Sequence, residues 1–382
     1  MTDENISEEL VTVEPADMVR KDDGNNVRAS WNFGADNIRA NTAHFEANET
    51  EDLIALFRWC IDPRHPMHMA DAAARLECSP QLIYQLLTGK YRNPDKSPKR
   101  PSADFMRKLR DFLSLEAKRY AAAGIDFIKT PTAQKVFTAC DLAKESHSPV
   151  ILSGPSQVGK TWSLRHYQAN NNHGRTIMIE LEAACGLGGL IRTAAIATGI
   201  SDRSNTAALI ERLKKSWSPD TLIIFDEMHL LKHTYRLQSF FACIEVIRRL
   251  LDYCQCGAVL SWTNLNDLKN ASQGELVQVW RRGVHKVALP AMPTKADLTA
   301  ILKHHGLDFP DKKLEVTIGG VVDQPYEILR QQAKNNGLKA ITERIRYAHR
   351  LAGKKDGKLA WTHFVDAHLR IEKQAVQEGE WS

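Results

Sequence analysis

A chain of 382 residues, 43% apolar and 25% charged, is long enough for two or three domains and a sizeable core. That composition excludes a disulfide-stapled miniature, a fibrous repeat and wholesale disorder. No run reaches the roughly 20 apolar residues of a bilayer-crossing helix, and the opening MTDENISEEL is acidic where a secretory leader is basic then apolar, so a cytoplasmic protein with no membrane partner is expected.

The net charge of +5 is unevenly spread. Residues 1–30 hold eight acids against three bases, which predicts a disordered acidic leader over 1–48. Residues 49–122 reverse the sign, with eleven bases against five acids over 58–110, and a basic face invites polyanions. Apolar spacing predicts helices in EDLIALFRWCI (51–61), MADAAARL (69–76) and PQLIYQLLTG (80–89), and a further helix from about 103 to 122. Between the last two, KYRNPDKSPKRPS carries three prolines and five bases and reads as a loop or linker. Within the helix pair over 69–89, Ala73 is small where the helices cross, Cys78, Ile83 and Leu86 turn inward, and Ser79 caps the second helix. Gln81, Tyr84, Gln85, Lys90 and Arg92 are left facing outward. Glu77 stands where a tight turn favours glycine, which predicts a distorted turn.

From Pro149 the pattern changes to short β-branched runs alternating with helices, the signature of a three-layer α/β domain with a parallel sheet, here assigned to 123–292. Candidate strands are PVILS (149–153), RTIMIEL (175–181), TLIIF (221–225), GAVLSW (257–262) and VHKVAL (284–289), each apolar enough to be covered on both faces. After Pro290 helical patterns dominate, and a small all-helical domain is expected over 293–382.

Gly154, Pro155, Ser156, Gln157, Val158, Gly159, Lys160 and Thr161 match G-x-x-x-x-G-K-[ST] directly after a buried strand and at a helix start, with Trp162 next in line. Such a loop turns its amide N–H groups toward phosphate oxygens, and the helix N-terminus adds partial positive charge. Lys160 is expected to neutralise the β- and γ-phosphates of ATP, and Thr161 to offer its hydroxyl to Mg²⁺. The run TLIIF delivers Asp226 and Glu227 to the edge of the sheet where ligands bind. Asp226 suits magnesium held through water, and Glu227 suits a base that polarises the attacking water. A further strand ends in Thr263 and Asn264, either of which is a candidate for the γ-phosphate or the lytic water and equally for a turn cap. Arg281 and Arg282 precede the last strand, where a planar, permanent cation can reach a neighbouring subunit's nucleotide. Cys254 and Cys256 with His229 and His233 raise a metal site, but Cys-x-Cys beside a buried strand favours packing.

Together GPSQVGKT, IIFDE, SWTN, the arginine pair and the helical C-terminus resemble an AAA+ ATPase over about 125–376. The resemblance implies a 5-1-4-3-2 sheet and a helical lid over it. The Gly-x-x-Arg of many lids is missing, and Arg330 is the substitute considered for the γ-phosphate. The N-terminal pair resembles a helix-turn-helix, which implies that Gln81, Tyr84, Gln85, Lys90 and Arg92 face duplex DNA. Helix-turn-helix, basic linker and AAA+ core in that order are similar to phage Mu B and the TnsC/TniB-like ATPases of transposons. That resemblance implies a protein of bacterial or phage-infected cytoplasm that binds double-stranded DNA with ATP and assembles into a filament or ring. It further implies marking a DNA transposition target for a transposase. Lys232, His233 and Arg236 are candidate backbone contacts. The rival readings are a replicative-helicase loader and an ATP-gated transcriptional regulator.

Overall fold

The computed structural model describes residues 31–62, 67–121, 127–171, 175–183, 185–233, 237–263, 285–353 and 358–379, and the chain divides into two compact units, Met1–Ala117 and Lys118–Ser382. The first unit is helical, with α1 (Ala35–Asn41), α2 (Ala47–Ile61), α3 (Met69–Arg75), α4 (Pro80–Leu87) and the start of α5 (Ala103–Ala121). Its core gathers Trp31, Ile38, Leu53, Ile54, Phe57, Ile83, Leu86 and Leu109. Part of the expected disordered leader is therefore folded. From Trp31 onward it supplies core, and the Trp31 indole donates to the Met67 carbonyl at 2.8 Å. The acidic residues counted for the leader all precede this stretch, so an average over 1–48 hid three apolar anchors, Trp31, Ile38 and Phe45.

The turn between α3 and α4 is regular despite Glu77. That residue takes the left-handed conformation itself, at φ 52°, while Cys78 N–H bonds Ala73 C=O at 2.9 Å and Glu77 N–H bonds Ala74 C=O at 3.3 Å. This pair of bonds closes a Schellman motif, and Lys108 holds the Glu77 carboxylate at 3.0 Å. Ser79 caps α4 through Leu82 N–H, as its position suggests. Ala73, Ile83 and Leu86 are buried, whereas Cys78 is only half-buried. The stretch 90–102 is a loop as expected, and it is pinned by an antiparallel pairing of Arg92 and Pro98.

In the second unit α6 (Pro131–Ser146) leads into β1 (Pro149–Ser153), α7 (Lys160–Asn170), β2 (Thr176–Glu180), α8 (Leu187–Thr198), α9 (Thr206–Ser216) and β3 (Leu222–Asp226). A 3₁₀ turn (Met228–His233), α10 (Leu237–Cys254), β4 (Gly257–Trp262) and β5 (His285–Ala288) complete the sheet region. The sheet runs β2-β3-β4-β1-β5, parallel throughout, which is the order 5-1-4-3-2 read from the other edge. Alternate strand residues feed two cores. Ile151, Ile177, Ile223, Phe225 and Leu260 pack with α8, α9 and α10, while Val150, Leu152, Met178, Ile224 and Val259 pack with α6 and α7. Four strands are covered as expected, but β5 is largely exposed; it carries His285 and Lys286, whereas β2, the other edge strand, is buried over Thr176–Ile179.

The C-terminal segment is not all helical. Between α11 (Lys295–His304) and α12 (Pro325–Asn335) a hairpin forms from β6 (Val316–Ile318) and β7 (Val321–Asp323), turned by Gly319 and Gly320, both at positive φ. α13 (Gly337–Gly353) and α14 (Trp361–Gly379) finish it around a core of Leu302, Ile345, Phe364 and Val365. Asp297 ties this segment to the sheet domain. Fully buried, its carboxylate accepts from Thr132 N–H and Thr132 Oγ1, both at 2.8 Å, and from Thr294 N–H and Oγ1 at 2.9 and 2.7 Å. Burial pushes its pKa up, but these bonds outweigh it and the net shift is downward.

Candidate active site

The loop from Gly154 to Gly159 joins β1 to α7, and two of its residues hold left-handed backbone, Gln157 at φ 68° and Gly159 at φ 93°. Gly159 is the N-cap of α7, so the loop wraps onto a helix N-terminus. A side chain at Gly154 would place Cβ 2.8 Å from Leu289, which leaves glycine as the residue that fits between β1 and the strand-end beside it. Lys160 is buried at 5% exposure, and its ammonium donates to the carbonyls of Gly154 and Pro155 at 2.5 and 2.8 Å. Desolvation lowers its pKa, partly offset by the charges of Glu227 and Asp226. Val158 is buried beneath the loop, Ser156 and Gln157 are exposed, and Trp162 stands 40% exposed on the first turn of α7.

Asp226 ends β3 and is fully buried. Its Oδ2 accepts from Thr161 Oγ1 at 2.6 Å, while Oδ1 has no hydrogen-bond partner among the described residues. A buried carboxylate with one oxygen on a hydroxyl and the other unmatched suits a hydrated divalent cation. These residues fit Mg²⁺.

Glu227 follows at φ 59°, and this backbone turn separates the two acids. Its Oε2 lies 3.1 Å from His229 Nδ1 and 3.4 Å from Thr263 Oγ1, and Thr263 Oγ1 lies 3.1 Å from His229 Nδ1. β4 lies between β1 and β3, so Thr263 at its end faces both the phosphate loop strand and the acidic strand. The structure thus brings Lys160, Thr161, Asp226, Glu227 and Thr263 to one sheet edge. The sequence offers His229 only as a metal ligand. Its place two residues after Glu227, in one 3₁₀ turn, is the signal that puts it on the carboxylate instead.

The C-terminal segment reaches the loop through α13. Leu338 N–H donates to Gln157 C=O at 3.0 Å, and a Cβ on Gly337 would stand 2.6 Å from Gln157 Cβ and 2.7 Å from its oxygen. Arg330 pairs with Glu327 on its own helix at 2.9 Å and is exposed. Arg236, Asn264, Arg281 and Arg282 lie outside the described residues, as do the side chains of Lys232 and His233. Cys254 and Cys256 are buried in the core beside α9 and α10. In the first unit Gln81, Lys90 and Arg92 are exposed, with Tyr84 and Gln85 half-buried.

Residues 143–271 match the family model described as AAA domain, a stretch holding the phosphate loop, Asp226, Glu227 and Thr263. The fold is of the AAA type. Among solved structures the chain is similar to a Walker-type ATPase of Pyrococcus abyssi, at 13% identity and TM-score 0.38, over 68% of this chain and 77% of that one. It is also similar to AMPPCP-bound DnaA of Aquifex aeolicus, at 15% identity and TM-score 0.36, over 61% and 65% of the two chains. A third is PCH-2 of C. elegans, at 14% and 0.36, over 64% and 68%. Comparison with curated protein sequences gave no match.

Proposed function

We propose that this chain is an ATPase that binds duplex DNA when loaded with ATP, assembles on it in many copies, and marks it as a transposition target for a transposase. The observation that carries the nucleotide half is the meeting of Lys160, Thr161, Asp226 and Glu227 beside the phosphate loop. In this reading Glu227 accepts a proton from a water as that water's oxygen bonds the γ-phosphorus and the bridging oxygen leaves with ADP. Thr263 and His229 hold the Glu227 carboxylate, and Lys160 meets the phosphate charge. Mg²⁺, held by Thr161 and through water by Asp226, would supply the positive charge that offsets the leaving phosphate.

Arg281 or Arg282 would complete the site from a neighbouring copy, so ATP would join subunits, and joined subunits would add their phosphate contacts on one duplex. Lys232 and Arg236 are further candidates for those contacts. Support for the DNA half comes from the outward cations Lys90 and Arg92 beside Gln81, Tyr84 and Gln85, and α3 and α4 serve here as a helix-turn-helix. Electron microscopy of the protein with duplex DNA tests the reading directly. Coated or ringed DNA is expected with ATP, bare DNA with ADP and with the Lys160→Ala variant. Single copies in the presence of both ATP and duplex would overturn it. A transposase captured by the ATP form supports the partner assignment, and capture of a replicative helicase instead refutes it.

A further inference from the structure

We infer that the stretch Tyr91–Lys99 is a rigid basic hairpin that grips the sugar–phosphate backbone of duplex DNA through Arg92, Lys96 and Lys99. This rests on the duplex-binding reading above and extends it from Arg92, already placed on the DNA face, to Lys96 and Lys99 on the hairpin that follows α4. The stretch is tightly pinned. Lys99 N–H bonds Tyr91 C=O at 3.2 Å, Asn93 N–H bonds Ser97 C=O at 3.0 Å, and Lys96 N–H closes the turn on Asn93 C=O at 2.9 Å. Lys96 takes the left-handed conformation, φ 65°, that such a turn demands. Side chains reinforce it, with Asp95 accepting from Ser97 N–H and Oγ at 2.9 and 2.6 Å and Arg92 donating to Lys96 C=O at 3.0 Å. Its base is anchored to α4, because Lys90 and Tyr91 both donate their amides to Gln85 C=O, at 2.9 and 3.1 Å.

The charges on this scaffold are available. Arg100 is spent on Glu46 and Glu49, and the single acid of the hairpin, Asp95, is engaged by Ser97. Arg92, Lys96 and Lys99 are exposed and in no ion pair with a described carboxylate; Lys99 lies over the Tyr91 ring at 4.9 Å. Folding has therefore placed cations on a stiff loop without neutralising them, which costs self-repulsion and is recovered when a polyanion binds. The exposed large apolar side chains among the described residues, such as Trp162, Val321 and Val322, all belong to the second unit, so nothing on the hairpin favours an apolar partner or insertion into lipid.

The test uses the full-length protein with ATP and a labelled duplex, titrated at several salt concentrations. Wild type is compared with Lys96→Ala/Lys99→Ala and with a charge-matched control, Lys312→Ala/Lys313→Ala. Each lost phosphate contact removes about 0.9 from the slope of log affinity against log salt, so the hairpin double variant should lose about 1.8 and bind at least ~10-fold more weakly at low salt. The control should keep the wild-type slope, and ATP hydrolysis without DNA should be equal in all three. An unchanged slope in the hairpin variant, or an equal loss in the control, overturns the hairpin contact while leaving duplex binding intact. Absence of duplex binding by wild type overturns both. Polyglutamate held as tightly as duplex, with the same dependence on Lys96 and Lys99, would make this an acidic-protein surface and overturn the DNA assignment.

Discussion

Substituting Gly337 by alanine tests whether the C-terminal segment rests on the phosphate loop. At φ 67° a non-glycine residue pays about 1–2 kcal/mol for left-handed backbone. The added Cβ would then meet Gln157 at 2.6 Å on its Cβ and 2.7 Å on its oxygen, against backbone that cannot rotate away. Relief requires α13 to lift, which breaks the 3.0 Å bond from Leu338 N–H to Gln157 C=O and removes about 1 kcal/mol more. The docked state should lose about 2–3 kcal/mol in all, or a Tm drop of about 4–12 °C if the unit melts as one. Gly306→Ala is the matched control, at φ 76° with nothing within 4 Å of the new Cβ, so it carries the backbone cost alone. Thermal and urea unfolding should rank Gly337→Ala below Gly306→Ala, and affinity for a fluorescent ATP analogue should fall in Gly337→Ala only. Equal melting shifts with equal nucleotide affinity would refute the docking argument.

The remaining expectations concern the acids and the histidine. Glu227→Gln should retain ATP and lose hydrolysis by about 10²–10⁴-fold, read as kcat beside an unchanged binding isotherm, and undiminished phosphate release would remove Glu227 from the base role. His229→Ala should lower kcat on the order of tenfold with KM held, since it frees the carboxylate without touching the phosphate loop; a change in KM alone would contradict the 3.1 Å clamp. Asp297→Ala should cost about 3 kcal/mol in urea unfolding, from the charge-assisted bonds it removes to Thr132 and Thr294. Because the folded carboxyl titrates below its ordinary 3.8, its contribution is present above that pH and fades as pH falls through the lowered folded value. In Asp297→Ala the acid limb of the stability profile should therefore flatten.

What was legible in the sequence follows from how local each feature is. PVILS and GAVLSW are strands to the residue because a central parallel strand is apolar on both faces and needs no partner to announce itself. β5 carries His285 and Lys286 inside its run, and both are exposed, so its polar content is a local signal that sets it apart from the other four strands. β6 and β7 are three residues each, too short for an alternation to register, although the Gly-Gly pair between them was a usable turn signal. The site divides along the same line. Lys160, Thr161, Asp226 and Glu227 sit in contiguous motifs whose chemistry is local. His229 reaches Glu227 through a local spacing of two residues, whereas Thr263 joins them only because β4 brings it across, and Gly337 matters only because α13 lands on Gln157. The two residues in that last contact share one trait. Gln157 and Gly337 both hold positive φ, so the loop and the helix start each expose backbone where a side chain would otherwise keep them apart. That geometry makes the seat of the C-terminal segment on the phosphate loop a backbone interaction.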